Sequence, residues 1–217
     1  TDEDIIEAYI IGLIKRFIIL RDKSIIPLFH LNRLSLEQYK SLLSLLIQKP
    51  SGGLIPVLIC VSFFQMLDEY YRLAWKVNWQ GINVSDSSTG SEGDITIIAN
   101  QETISAIEIT ERLIDGKRVV STFNTKIIRS NVTEYLFIYT ETKPDQSALD
   151  AASKLFSQGY DVNFANIIDL VVNNFAVQRP VARNIFTDKM ISLLDSIDIP
   201  SSVKLAWNEC VMKVIPI

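Results

Sequence analysis

The sequence predicts an α/β fold of the α+β kind: a mixed central sheet flanked by helices, with further helices at both ends of the chain. Three observations predict it. Gly93 to Glu111 reads as a β-hairpin, because Ile95, Ile97 and Ala99 alternate with Asp94, Thr96 and Ile98, and Ser105, Ile107 and Ile109 alternate with Ala106, Glu108 and Thr110. Tyr135 to Thr140 is a continuous apolar run, the pattern of a strand buried on both faces. Between them, Asp115 is a good N-cap for a helix running to about Ile128. Strand, helix and strand in that order make a parallel, right-handed crossover.

The remaining elements fall in place along the chain. Residues 3–21 read as a first, very apolar helix. Residues 24–34 form a loop holding Pro27, His30 and Arg33, in which the lone His30 reads as a structural hydrogen-bonding residue. Ser35 opens a second helix with Glu37 and Gln38 in its first turn, and Pro50-Ser51-Gly52-Gly53 breaks it. Pro56 to Trp75 is a long helix with an apolar stripe broad enough to lie under a sheet. Asp68 and Glu69 near its end are solvated charges, or one of them faces the hairpin. A short strand is expected at Trp79 to Val84, then a polar loop from Ser85 to Gly93. In the helix after the hairpin, Val119, Val120, Phe123 and Ile127 make the buried stripe, with Lys117 and Lys126 on its shoulders and Arg118 pointing away. Further helices are read at Ser147–Gln158, closed by Gly159, at Ile167–Val177, Asn184–Ile197 and Ser201–Val214, with a short edge strand at Asp161–Asn166.

Composition sets bounds on function. The chain has 217 residues, 48% of them hydrophobic, enough for one large domain with helical appendages. Its net charge of −4 gives no global basic signature for nucleic acid. A local basic cleft remains compatible with that. One His and two Cys do not build a zinc site. Cys60 and Cys210 lie in apolar helical patterns and read as buried free thiols of a reducing compartment. No apolar run reaches the roughly 18 residues that span a membrane, so no membrane partner is expected. No signal-peptide pattern opens the chain, which starts at Thr1 without a Met.

The hairpin carries the chemistry. Asn100-Gln101-Glu102 as a three-residue loop pairs Ala99 with Thr103 and sets Asp94 directly opposite Glu108. Directly opposed residues have Cβ atoms roughly 4.5–5.5 Å apart, so the two carboxylates repel unless a positive group sits between them. A divalent cation answers that need, and oxygen-only ligands select a hard ion such as Mg²⁺. Solvation on the wet face of the hairpin answers it too.

Helix, short strand, hairpin with opposed acids, helix and buried strand is the layout of a PD-(D/E)XK nuclease core. In that layout the acids bind Mg²⁺ and a lysine assists the attacking water. The lysine position two after the second acid is Thr110 here. Lys117, in the first turn of the next helix, is the first-ranked replacement. Lys126, roughly 13 Å further along the axis, ranks second.

Several strings in this order resemble one family. INVSD, GDI, AIEITER, RVVSTFNTKI and QGYDVNF, with HLNRLSLEQ and KPSGG upstream, are similar to the SacI-type family of type II restriction endonucleases, from about His30 to Asn208. The resemblance implies Mg²⁺-dependent cleavage of double-stranded DNA at a short palindrome, by a homodimer in the bacterial cytoplasm. On that reading the chain divides into an N-terminal helical region (1–55), a nuclease core (56–178) and a C-terminal helical region (179–217), packed as one unit. The catalytic set is Asp94, Glu108 and Lys117, with Asp94 and Glu108 as metal ligands. Asn83, Ser85, Asp86 and Arg112, and then Arg33, are the candidates for the DNA surface; Asn83 and Asp86 equally suit a turn-capping role. A structure-specific or repair nuclease of the same fold and a catalytically decayed DNA-binding module are the competing readings, with an unrelated α/β protein as the fourth.

Overall fold

A computed structural model describes residues 2–23, 26–31, 33–79, 93–128, 132–196 and 198–215. Among the described residues, five strands form one mixed sheet in the order β1-β2-β3-β4-β5. They are β1 (Lys76–Trp79), β2 (Ile95–Ala99), β3 (Glu102–Thr110), β4 (Glu134–Tyr139) and β5 (Asp161–Asn166). β1, β2 and β3 run antiparallel, while β3, β4 and β5 run parallel. The helices are α1 (Asp2–Lys23), α2 (Leu36–Ile47), α3 (Leu54–Tyr71), α4 (Gly116–Thr122, continued by a π turn at Phe123–Ile127), α5 (Gln146–Phe156), α6 (Ile167–Val177), α7 (Pro180–Leu194) and α8 (Ser201–Val214).

The alternation along β2 and β3 explains the two layers. Ile95, Ile97 and Ile107 point into a large core that also holds α2, α3, α6, α7 and α8. Ala106 points to the other face, where Val119 and Ile127 of the α4 segment and Ala148 and Leu155 of α5 pack on Tyr135 and Phe137. β4 is buried on both faces because its residues divide between the two cores, as its unbroken apolar run requires. α2 from the N-terminal part and α7 and α8 from the C-terminal part thus share one core with the sheet.

α2 opens at Ser35 as expected and closes its N-terminus with a capping box: the Ser35 hydroxyl accepts from Gln38 N–H at 3.2 Å, and Gln38 Oε1 accepts from Ser35 N–H at 2.9 Å. α3 runs under the sheet and is the one described helix long and apolar enough to cross a membrane. That departs from the expectation that no such run exists. Its buried residues include Leu58, Ile59, Val61 and Phe63, so its hydrophobicity is that of a core helix. It ends at Tyr71, four residues before the expected stop, because Arg72 takes a left-handed cap. Asp68 then accepts from Trp75 N–H at 2.8 Å and Glu69 pairs with Lys189 at 2.7 Å, so these partners hold both acids away from the hairpin.

Two more boundaries differ. The first described strand is Lys76–Trp79, with Val77 and Trp79 packed on the large core; of the expected strand Trp79–Val84, all but Trp79 lies outside the described residues. α7 begins at Pro180, whose fixed φ suits the first helical position.

The hairpin differs from expectation in a way that preserves its consequence. Its loop has two residues, Asn100 (φ 51) and Gln101 (φ 70), and Glu102 already pairs with Ala99. Two positive φ values are what a tight two-residue hairpin turn demands. A bulge follows: Ile97 pairs with Ser105 but Ile98 with Thr103, which leaves Ile104 extra. The bulge restores the register, so Ile95 pairs with Ile107 as the three-residue loop predicted. One step further, Asp94 lies across from Glu108.

Gly93 sits where this strand enters. A Cβ there would lie 2.5 Å from the Ile107 carbonyl oxygen, a backbone atom that has nowhere to go. Gly93→Ala is expected to destabilise the fold by about 1–3 kcal/mol, the scale of overpacking a core site. Urea denaturation checks this, and an unshifted midpoint would contradict the close approach.

Candidate active site

Glu108 is a buried carboxylate in mid-sheet. A charge there is costly unless it is paired and hydrogen-bonded. Three donors meet it. Arg118 Nη2 reaches Oε1 at 2.7 Å, and Lys126 Nζ and the Tyr135 hydroxyl both reach Oε2 at 3.0 Å. Burial pushes the Glu108 carboxyl up, but the Lys126 charge, with the hydrogen bonds from Arg118 and Lys126, outweighs it and holds the group below the usual glutamate range. Burial and the Glu108 charge push the Tyr135 phenol far above its ordinary value, so its hydroxyl keeps the proton it donates.

Asp94 completes the cluster from β2's entrance. Its Oδ2 accepts from Ile109 N–H at 2.7 Å, which ties the carboxylate to the backbone beside Glu108. Its charge is felt by the Tyr135 phenol and by the Cys60 thiol of α3, which burial above all pushes up. Cys60 and Cys210 are both free and buried.

The helix after β3 presents a different face from the one expected. Its buried residues are Val119 and Thr122, whereas Val120 is exposed. The expected stripe counted Val120 and passed over Thr122 because it is polar. Turning the buried face toward Thr122 swings Arg118 onto the sheet side and leaves Lys117 exposed. The π turn then corrects the second lysine. Ile128 N–H bonds to Phe123 O, five residues back, so one extra residue is wound into the turn. In an unbroken α-helix Arg118 and Lys126 would stand about 80° apart, and one inserted residue brings them within about 20°. Both long side chains then converge on one carboxylate. The order of the two lysines is therefore reversed: Lys126, and not Lys117, touches Glu108.

Thr110, where a lysine was looked for, is buried and accepts from Arg112 N–H at 3.1 Å. Its hydroxyl shapes the turn out of β3. That turn opens a cleft of ≈ 470 Å³ lined by Gly52, Gly53, Pro56, Ile109, Thr110, Glu111, Arg112 and Arg118. The cleft lies at the C-terminal end of the parallel strand β3, where ligands of open α/β sheets bind. Of the residues nominated for the DNA surface, Arg112 is placed here. Arg33 lines another groove, with Ser35, Pro180 and Arg183. Asn83, Ser85 and Asp86 lie outside the described residues. His30 is exposed, and its segment is strapped to α8 by Asn208, which accepts from Phe29 N–H at 2.8 Å.

Arg118 and Tyr135 belong to the cluster and were missed from sequence. Tyr135 carried no signal, since an aromatic in an apolar strand reads as core.

The candidate metal ligands are two carboxylates, Asp94 and Glu108, both oxygen donors. Among the described residues no group of three or more metal-ligating side chains exists. Mg²⁺ is held through one or two carboxylates, with waters and phosphate oxygens for the rest. An ionised carboxylate offers about four acceptor positions, and three are taken on Glu108 by the bonds above.

A family model described as the SacI restriction endonuclease C-terminal domain matches residues 33–141, half of the chain. The match contains Asp94, Glu108, Arg118, Lys126 and Tyr135. A search of curated proteins finds no match.

Tyr135→Phe keeps the ring and removes the buried donor to Glu108. It is expected to lower stability by about 1 kcal/mol, whereas Lys117→Ala, on the exposed side of α4, should change it by less than about 0.5 kcal/mol. Chemical denaturation of the two variants checks the contrast.

Proposed function

Because this chain belongs to the SacI restriction endonuclease family, we propose that it is a type II enzyme that hydrolyses double-stranded DNA at a short palindrome, as a homodimer and with Mg²⁺. On this reading the sheet with its acid pair is a PD-(D/E)XK core. The observation that carries the proposal is a buried Glu108 gripped by Lys126 and Arg118 and aligned across the hairpin with Asp94.

Each residue has a task that its position supports. Asp94 and Glu108 would hold the ion, fixed in place by Ile109 N–H and by Tyr135. The bound ion supplies Lewis-acid stabilisation of the phosphate and lowers the pKa of a water. Lys126 stands in for the lysine that Thr110 lacks, and its ammonium stabilises negative charge on the attacking oxygen. Arg118 and Arg112 line the cleft, where guanidinium groups meet phosphate oxygens well.

A plasmid digest tests the reading. Wild-type protein with Mg²⁺ is expected to give discrete bands, and none with a chelator. Asp94→Ala and Glu108→Gln should each abolish cutting. DNA binding should persist or tighten, since one negative charge facing phosphate is gone. No cutting under any divalent ion, or a preference for branched over linear duplex, would contradict the proposal.

A further inference from the structure

The first turns of α2 and α7 meet at a groove of ≈ 440 Å³, whose wall includes Arg33, Ser35, Gln38, Arg183 and Asn184. Its frame is fixed. Gln38 Oε1 accepts from Ser35 N–H, and Gln38 Nε2 donates to the Val214 carbonyl at 3.3 Å. The Tyr39 hydroxyl donates to the Arg183 carbonyl at 3.0 Å, which ties the start of α7 to α2. The two arginine side chains are not used in this frame. Neither forms an ion pair with a described residue. Arg183 Nε is buried and has no hydrogen-bond partner among the described residues. A buried donor without a partner is costly, more so on a charged group. Water or a bound ion is what completes such a group in a folded protein.

The composition of the wall says which ion. Among the described residues no Asp or Glu lines the groove, while two guanidinium groups, a hydroxyl and an amide do. Guanidinium forks match the oxygens of a phosphate. Both helices also turn their positive ends here, and no side chain caps α7. No aromatic ring lines the wall, so nothing in it stacks a base. The groove fits a phosphate and not a nucleobase.

α2 gives the distance from this groove to the cleft at Arg112 and Arg118. Its last residue, Ile47, lines a pocket that shares Gly52, Gly53 and Glu111 with that cleft. The 12 residues of α2 separate the two by about 18 Å along the helix, or about five steps along a DNA strand. The exposed stripe between them carries Lys40, Ser41 and Gln48, with Glu37 as its one acid.

We propose that the groove between α2 and α7 is a second phosphate site, where Arg33 and Arg183 hold a backbone phosphate of a duplex whose scissile phosphate lies in the cleft. Such a contact sets the register of the duplex and reads no base. The proposal rests on the nuclease reading for its ligand. Its tests read binding and stability without cleavage, so the two can fail separately.

Fluorescence anisotropy in chelator, with a labelled duplex of about 20 base pairs, roughly two helical turns, reads the contact. Arg33→Met and Arg183→Met should each weaken binding about tenfold, the scale of a hydrogen bond to a charged group. Each should also flatten the plot of log K against log salt by about one unit. Lys154→Met removes the same charge from the exposed last turn of α5 and should leave that slope unchanged. The urea midpoint of Arg183→Met should stay level or rise, because an unpaired buried donor is gone. A lowered midpoint would give Arg183 a structural role and overturn the proposal. So would an equal loss of binding in Lys154→Met. A deoxynucleoside monophosphate that displaces the duplex better than chloride at equal ionic strength would make this a free-nucleotide site and overturn it too. A wild type that binds no duplex would sink the nuclease reading and this one together; duplex binding that both arginine variants leave unchanged would sink this one alone.

Discussion

A buried carboxylate at Glu108 is the constraint around which this half of the molecule is arranged. An isolated charge at that depth would be costly enough to stay protonated. Here two cations and a phenol surround it. Each comes from a different part of the crossover. The parallel pairing of β3 with β4 sets Tyr135 opposite Ala106, on the same face as Glu108. The roll of α4 delivers Arg118, and the π turn after it delivers Lys126. A cluster of this kind is weak evidence for stability, since an apolar replacement of equal volume often does as well. Its place in mid-sheet, next to a second carboxylate and a cleft, is what the proposed chemistry needs.

The second acid depends on backbone geometry more than on charge. Asp94 lies opposite Glu108 because a tight two-residue turn and a one-residue bulge offset each other. Without the bulge, the strand would be out of step by one, and Asp94 would face the wrong layer. Gly93 allows the chain to pass close to Ile107 just before the acid. Ile109 N–H then fixes the carboxylate. Register, close approach and hydrogen bond each act on the same residue.

The parts of this arrangement that were legible in the sequence are those written in period two. The hairpin, the opposed acids and the doubly buried strand follow from alternation and from an apolar run. The loop length was misread, but alternation on both strands still fixed the register at the acid end, because the large core demands Ile95 and Ile107 on one side. Helix faces were less legible. Thr122 is buried although polar, and Val120 is exposed although apolar, so a stripe drawn from hydrophobicity alone rolled α4 the wrong way. The π turn leaves no composition signal, yet it decides which lysine reaches Glu108. Likewise, α1 reads as an ordinary apolar helix; only the three-dimensional arrangement shows that its face lies outside both cores.

On the proposed function, a lysine displaced from β3 onto the following helix, Lys126, would take the place left open at Thr110. The ammonium reaches the same carboxylate from another element, and the hydroxyl is left to shape the turn. Single-turnover cleavage of duplex DNA with Mg²⁺ and enzyme in excess, for Lys126→Ala and Lys117→Ala, measures this directly. Loss of Lys126 should slow cleavage by about 10²-fold or more, the scale of removing one positioned electrostatic group. Loss of Lys117 should change the rate by less than about threefold, as for a surface residue away from such features. Equal rates for the two variants, or the larger loss at Lys117, would contradict the account.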